Sequence, residues 1–230
     1  MAAKGVLLMN FNFSSVWHYW PLLYHGFLLT VKVTLICAVF GLILGILLVL
    51  MRISGFKPLI WFSRLYISVF RGTPLLVQVC IIHFGLPQLL GVTFTSTQSG
   101  ILAFSLNSAA YISEIFRGGI QATDRGQYEA AMSLGVGYGD MMKDIIIPQA
   151  VRHILPSLVN ECISLLKESS ILSYIGAVEL LRAADQITVM TYRFFEPYLV
   201  IALIYYILVM ILSALGGLVE RRVNRSDRVS

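Results

Sequence analysis

Charge is the first thing this sequence is short of. Only 13% of its 230 residues are Asp, Glu, Lys or Arg, about half of what a soluble domain carries. Apolar residues make up 57%, and the mean hydropathy is +0.80. That balance argues against a soluble enzyme, a nucleic-acid partner and a disordered chain. Cysteine is almost missing. Cys37, Cys80 and Cys162 all sit in apolar runs with no CxxC or CxxH spacing, so neither a disulfide framework nor a metal site is expected. No phosphate-binding G-x-x-x-x-G-K-[ST] stretch occurs, and Gly-Lys does not occur at all. HExxH and a nucleophile elbow are missing too, and no catalytic triad can be assembled, so no catalytic residues and no cofactor of the chain's own are expected. Repeats, low-complexity tracts and flexible linkers are also lacking.

What is there is apolar length. A bilayer core takes about 20 apolar helical residues. Val33 to Met51 is free of charge, and the run reaches back to Leu22 if Lys32 is admitted; it is too long for a signal-peptide core. Thr73 to Val92 is a second run. Ahead of it Pro58 can open a helix, which is expected to rise along the surface and enter the bilayer near Pro74. Further spans are expected at about 101–120, 145–166 and 198–219, the last with Pro197 at its start. The fold class is therefore all-α integral membrane, with about five transmembrane helices.

An odd number of spans puts the two ends on opposite sides, and basic residues choose which. Arg52, Lys57, Arg64, Arg71, Arg117, Arg125, Lys143, Arg152, Arg221, Arg222, Arg225 and Arg228 fall on one side. Lys4, Arg182 and Arg193 fall on the other. Twelve against three predicts the N-terminus outside and the C-terminus inside. The first 20 residues carry Phe11, Phe13, Trp17, Tyr19 and Trp20 with only Lys4 for charge, as an anchor at headgroup depth does.

Between the third and fourth spans, Asp124 and Gln127 have the spacing of a capping box, so a helix is expected to start there. Tyr128, Ala131 and Met132 would form one apolar face. Gly135 suits the left-handed residue that ends a helix, and Asp140 is placed to cap the next one. A helix this short needs something to pack against.

The same stretch carries a specific spacing: Glu129-Ala130-Ala131, three residues, Gly135, nine residues, Ile145, one residue, Ile147-Pro148. It resembles the EAA loop of the membrane subunits of bacterial ABC importers, with Ile147 in place of the usual Leu. Phe70 to Gln78, Tyr111 to Ile120, and Lys167-Glu168-Ser169-Ser170-Ile171 are similar to segments of the polar-amino-acid permeases in that family, the last as a variant of Lys-Asp-Thr-Ser-Leu. The resemblance covers roughly residues 25–222. It implies a type I importer permease in a bacterial cytoplasmic (inner) membrane. Residues 1–21 would be a periplasmic or interfacial segment, 22–222 the transmembrane domain with its coupling loop at about 122–147, and 223–230 a basic cytoplasmic tail. It implies that Glu129, Ala130, Ala131, Met132 and Gly135 dock on a cytoplasmic ABC ATPase dimer that holds ATP and Mg. It also implies a second permease subunit, identical or related, and an extracytoplasmic amino-acid-binding protein.

The intramembrane polar residues fall into stripes. Ser157, Asn160, Glu161, Ser164 and Glu168 share one face of the fourth span. Asn107, Tyr111 and Glu114 share one face of the third. A carboxylate such as Glu161, about 20 Å into its helix, is costly against lipid. Asn107, Tyr111, Ser157, Asn160, Glu161 and Ser164 are therefore candidates for a substrate path. Helix–helix hydrogen bonding is the competing role. Glu114 with Arg117 reads as a local ion pair, and Lys167 with Glu168 as a pair at a gate. Gly41 and Gly45 form a GxxxG, a spacing frequent by chance. His83 reads as a satisfied interior histidine, and Pro148 and Pro156 are expected to interrupt the fourth span. A self-contained carrier or channel for small polar solutes is the alternative function.

Overall fold

The structure, a computed structural model, describes residues 11–225. Lys4, Arg228 and the outer parts of the two terminal segments lie outside the described residues. Every regular element among the described residues is helical. The first long helix, α1, is Trp20–Ile53. Its 34 residues span about 51 Å at 1.5 Å per residue, well beyond an apolar core of about 30 Å.

The next apolar stretch is broken. Helix α2 (Lys57–Gly72) and helix α3 (Leu75–Leu90) meet at 105°. Pro74 disfavours helical backbone at the preceding residue, and Thr73 is extended at φ −120°, ψ 146°. Backbone groups freed at such a break need partners. Gln78 Nε2 supplies them, donating to Phe70 O at 2.9 Å, Thr73 O at 3.1 Å and Thr73 Oγ1 at 2.8 Å. Asn107 Nδ2 adds bonds to Phe70 O and to Gln78 Oε1. The side chains of Gln78 and Asn107 thus clasp the break.

Helix α4 (Ser96–Gln121) opens on a full capping box between Thr95 and Gln98. The short helix α5 (Arg125–Ser133) follows. A π-helical turn, Met141–Ile146, leads into α6 (Ile147–Glu168). Pro148 lies in the first turn of α6, where its missing N–H has no partner to lose, and the helix continues through Pro156. The expected interruption of the span is thus replaced by a π turn ahead of it. A 3-10 stretch, Ser169–Ile175, leads to α7 (Leu180–Thr191), and α8 (Phe195–Arg225) completes the described fold.

Helix α1 packs most extensively on α4, α4 on α6, and α6 on α8. Gly41 and Gly45 lie in the α1–α4 seam. A Cβ on Gly45 would stand 2.7 Å from Ile112 Cγ2, and one on Gly41 would stand 2.9 Å from Ser108 Oγ. The GxxxG therefore counts for more than its spacing indicates, because only glycine lets these helices approach so closely. Val33, Cys37, Val79, Phe104, Leu165 and Leu172 fill the core beside the seam.

Two single helices are long and apolar enough to cross a membrane, Trp20–Ile53 and Phe195–Val223, and the bent pair α2–α3 qualifies as a unit. Helices α4 and α6 are about 39 and 33 Å long but carry the polar stripes. Only 11% of the most apolar window of α8 is buried, against 39% for α1. Its exposed Leu203, Ile207, Ile211 and Leu215 form a face suited to lipid rather than water.

Candidate functional site

The conspicuous local feature is α5. Asp124 is its N-cap, with Oδ1 accepting the Gly126 N–H at 2.8 Å. Gln127 does not complete the expected box. At the other end Gly135 is left-handed at φ 72°. The Gly135 N–H donates to Met132 O and the Val136 N–H to Ala131 O, both at 3.0 Å. This is the double-bonded Schellman end, which needs a residue that accepts positive φ. Ala131 is buried, and Tyr128 packs with it against Met141 and Ile146.

Met132 does not share that face, contrary to the expected apolar stripe. It is 71% exposed, and Leu134 and Tyr138 are exposed with it. Glu129 and Ala130 are exposed as well. The loop therefore rests on its own protein through one face and presents an apolar set through the other. Asp140 caps nothing, since the one-turn helix there starts after Gly137.

The polar stripes of α4 and α6 meet. Ser108 Oγ donates to Glu161 Oε1 at 2.7 Å, joining the two helices where Gly41 presses on Ser108. Glu161 is half-buried, and its Oε2 has no hydrogen bond among the described residues. Asn107 is buried and spent on the clasp at the α2–α3 break. Tyr111 and Asn160 are exposed, and Ser157 and Ser164 half-buried. Ser108 escaped the sequence reading, and Gln78 entered it only as the end of a family-like segment; nothing in their own neighbourhoods marks their partners.

Toward the α5 end lies a cavity of about 520 Å³, walled by Arg71, Tyr111, Glu114, Arg117, His153 and Ser157 among others. Glu114 is the hub of this wall. Its Oε2 accepts from Arg117 Nε at 2.9 Å and Nη2 at 2.6 Å, and its Oε1 accepts from Arg52 Nη1. Arg71 Nη1 stands 3.7 Å from Oε2. The expected local pair is thus part of a larger cluster that ties the last turns of α1 and α2 to α4.

At the other end, Ser164, Lys167 and Glu168 line a smaller cavity with Ser170 and Ile171. Lys167 and Glu168 do not close on each other as an ion pair among the described residues. Glu179, in the connection before α7, is fully buried. It accepts from the N–H groups of Leu181 and Arg182 and from the Tyr205 hydroxyl. Burial pushes its carboxyl up to about 7.

The N-terminal segment packs on the rest of the protein. Val16 is buried with Leu23 and Leu180, Phe11 meets the Phe195 ring at 5.2 Å, and the Asn12 N–H donates to Glu196 Oε1. Trp17 stays 71% exposed and stacks on Trp20. His83 is satisfied as expected, with Nδ1 2.9 Å from Ser99 Oγ. Among the described residues no three His, Cys, Asp or Glu side chains gather as metal ligands.

Known proteins share this fold. The family described as the binding-protein-dependent transport system inner membrane component matches residues 38–225. The arginine transport system permease protein ArtQ of Bacillus subtilis (strain 168) is 49% identical over 219 residues, covering 95% of this chain and 100% of the relative. The L-cystine transport system permease protein TcyB of the same organism is 38% identical over 208 residues, covering 90% of this chain and 88% of the relative. A crystal structure of an amino acid ABC transporter with histidines superposes with a TM-score of 0.88 at 46% identity, covering 93% of this chain and 100% of that one. A match over most of the length in both sequence and fold leaves no room for a free-standing carrier: the chain belongs to the family of binding-protein-dependent transport system inner membrane components.

Proposed function

We propose that this chain is the permease subunit of an ATP-driven importer, forming the path by which a polar amino acid crosses the bacterial inner membrane. ATP hydrolysis belongs to a separate subunit, which holds ATP and Mg, and a soluble binding protein delivers the substrate from outside. Five spans are proposed: α1, the bent α2–α3 unit, α4, α6 and α8. The N-terminus lies outside and the C-terminus inside, as the twelve-to-three distribution of basic residues favours. A second permease subunit, identical or related, completes the path.

The observation that carries this reading is the outward apolar set of α5 and its turn. A short helix locked by a Schellman end, with Met132, Leu134 and Tyr138 exposed beside Glu129, is a docking knob in want of a groove. ATP-driven closure of an ATPase dimer would swing two such knobs, and with them α4 and α6. Glu161 would meet an ammonium or basic side chain through Oε2, which has no hydrogen bond among the described residues, beside Tyr111 and Ser157. Asn107 acts at one remove, holding the α2–α3 break. Arginine, cystine and histidine, which the names of the relatives mention, share their backbone ammonium and carboxylate rather than their side chains. That common pair is what the path is expected to read.

The test is co-purification with the cognate ATPase in detergent. Wild type is expected to retain it, and Met132→Asp with Leu134→Asp to lose it, since both side chains are exposed and the fold does not need them. Equal retention by the two would remove the loop from the interface. Glu161→Gln in reconstituted vesicles tests the path separately. Unchanged substrate affinity and transport rate would take Glu161 out of it.

A further inference from the structure

The cavity at the α5 end holds more positive charge than its one carboxylate balances. Arg52, Arg71 and Arg117 surround Glu114, and no other acidic side chain lines the wall. Arg52 and Arg117 already occupy both Glu114 oxygens. Arg71, at 3.7 Å, is too far to hydrogen-bond there. Its guanidinium lies 5.2 Å from the centroid of the Tyr111 ring, and it makes no hydrogen bond among the described residues. The ring holds the fork in place without using its donors. Its side chain is 43% exposed, on the cavity.

A planar, pre-positioned guanidinium with free donors matches the two oxygens of a carboxylate or a phosphate. The volume of about 520 Å³ is that of a small-molecule site. His153 and Ser157 of α6 face the same space from the opposite wall.

We propose that this cavity is an anion site, which takes a carboxylate or phosphate group on Arg71, with Arg117 beside it. Glu114 lies seven residues before the end of α4, about 10 Å along the helix. On the span arrangement proposed above, that is the inner part of the span, within an arginine side chain's reach of the inner headgroups. Two sources of the same chemistry reach that level: the phosphate of an anionic lipid and the carboxylate of a free amino acid in the cytoplasm. Tyr111 and Ser157 border both this cavity and Glu161, but Glu161 is not among the residues that line it, so loss of the Glu161 reading leaves the site standing.

The experiment uses the permease–ATPase complex in nanodiscs, with wild type, Arg71→Gln and, as a charge-matched control, Arg64→Gln. In one arm the discs are phosphatidylcholine doped with phosphatidylglycerol, and retained phosphatidylglycerol is counted by native mass spectrometry. In the other the discs are phosphatidylcholine alone, and binding of labelled L-glutamine is followed by equilibrium dialysis. Arg71→Gln is expected to bind at least about fivefold less in one arm, the loss of one charge-assisted contact, while Arg64→Gln binds as wild type. The arm that responds names the source. Should Arg71→Gln fail to assemble, Tyr111→Leu, which frees the guanidinium from its ring, is expected to weaken binding in that same arm. Wild-type binding by the assembled Arg71 or Tyr111 variant in both arms overturns the proposal, as does an equal loss in Arg64→Gln.

Discussion

Glu114 and Glu179 stand at opposite ends of the molecule, and each is withdrawn from water by different means. Glu114 is met by guanidiniums from three helices. Glu179 is more deeply buried, has no cation within ion-pair distance among the described residues, and relies on two backbone N–H groups and one hydroxyl. The first arrangement ties separate helices together through charge and leaves a surplus. The second fixes one turn of chain in place and leaves the charge itself uncompensated. An end built on ion pairs is therefore expected to respond to salt. An end built on a buried, hydrogen-bonded carboxyl is expected to respond to pH.

Removing Glu114 should break this contrast hardest. Glu114→Ala leaves three guanidiniums repelling one another. Losing one partner of a fully buried pair costs about 3–5 kcal/mol. The arginine side chains here keep 27–43% exposure, so water screens part of that cost, and a loss of about 2 kcal/mol is expected. Thermal unfolding of the detergent-solubilised complex measures it, and a wild-type Tm would show that the hub carries no stability.

At the other end, Glu179→Ala removes the side-chain cap of α7, with an expected cost of about 1 kcal/mol. The pH dependence has a definite sign. The Glu179 carboxyl is raised from its ordinary value of 4.5 to about 7 in the folded chain, so the native state binds the proton more tightly than the unfolded one. Its stabilising contribution is complete below 4.5 and is lost as pH rises through about 7. In Tm scans the wild-type protein should lose stability relative to Glu179→Gln between those limits. Parallel curves would place the carboxyl's titration elsewhere.

The smallest effect is expected from Arg71→Gln. A partly exposed cation 3.7 Å from its nearest carboxylate oxygen contributes at most about 0.5 kcal/mol. A Tm within error of wild type marks Arg71 as spare in the structural hub, and a large drop would make it a structural member instead.

Much of this was legible in the sequence where the cause is local. Pro74 forces the preceding residue out of the helix, and the chain turns there by 105°. Gly135 was expected to be left-handed, and it is. Where the cause is distant, reading failed. Met132 was expected on one apolar face with Tyr128 and Ala131, but those two pack inward and Met132 is left exposed. Lys167 and Glu168 are neighbours in sequence, yet successive helical residues diverge by about 100°. The hub joins Arg52 to Glu114 across 62 positions, and a hydrogen bond joins Ser108 to Glu161 across 53.

By itself, then, the sequence determined the class of the protein, the run lengths that a bilayer demands, and the bends and caps that single residues impose. These depend on transfer energies and backbone sterics, which act within a few residues. Only the tertiary structure decided which polar groups answer one another. Helix α1 is apolar on nearly every side, so its sequence does not say which face meets α4. That face is chosen by the close approach at Gly41 and Gly45, and the crossing it permits brings Arg52 to Glu114 and leaves Arg71 with its donors free.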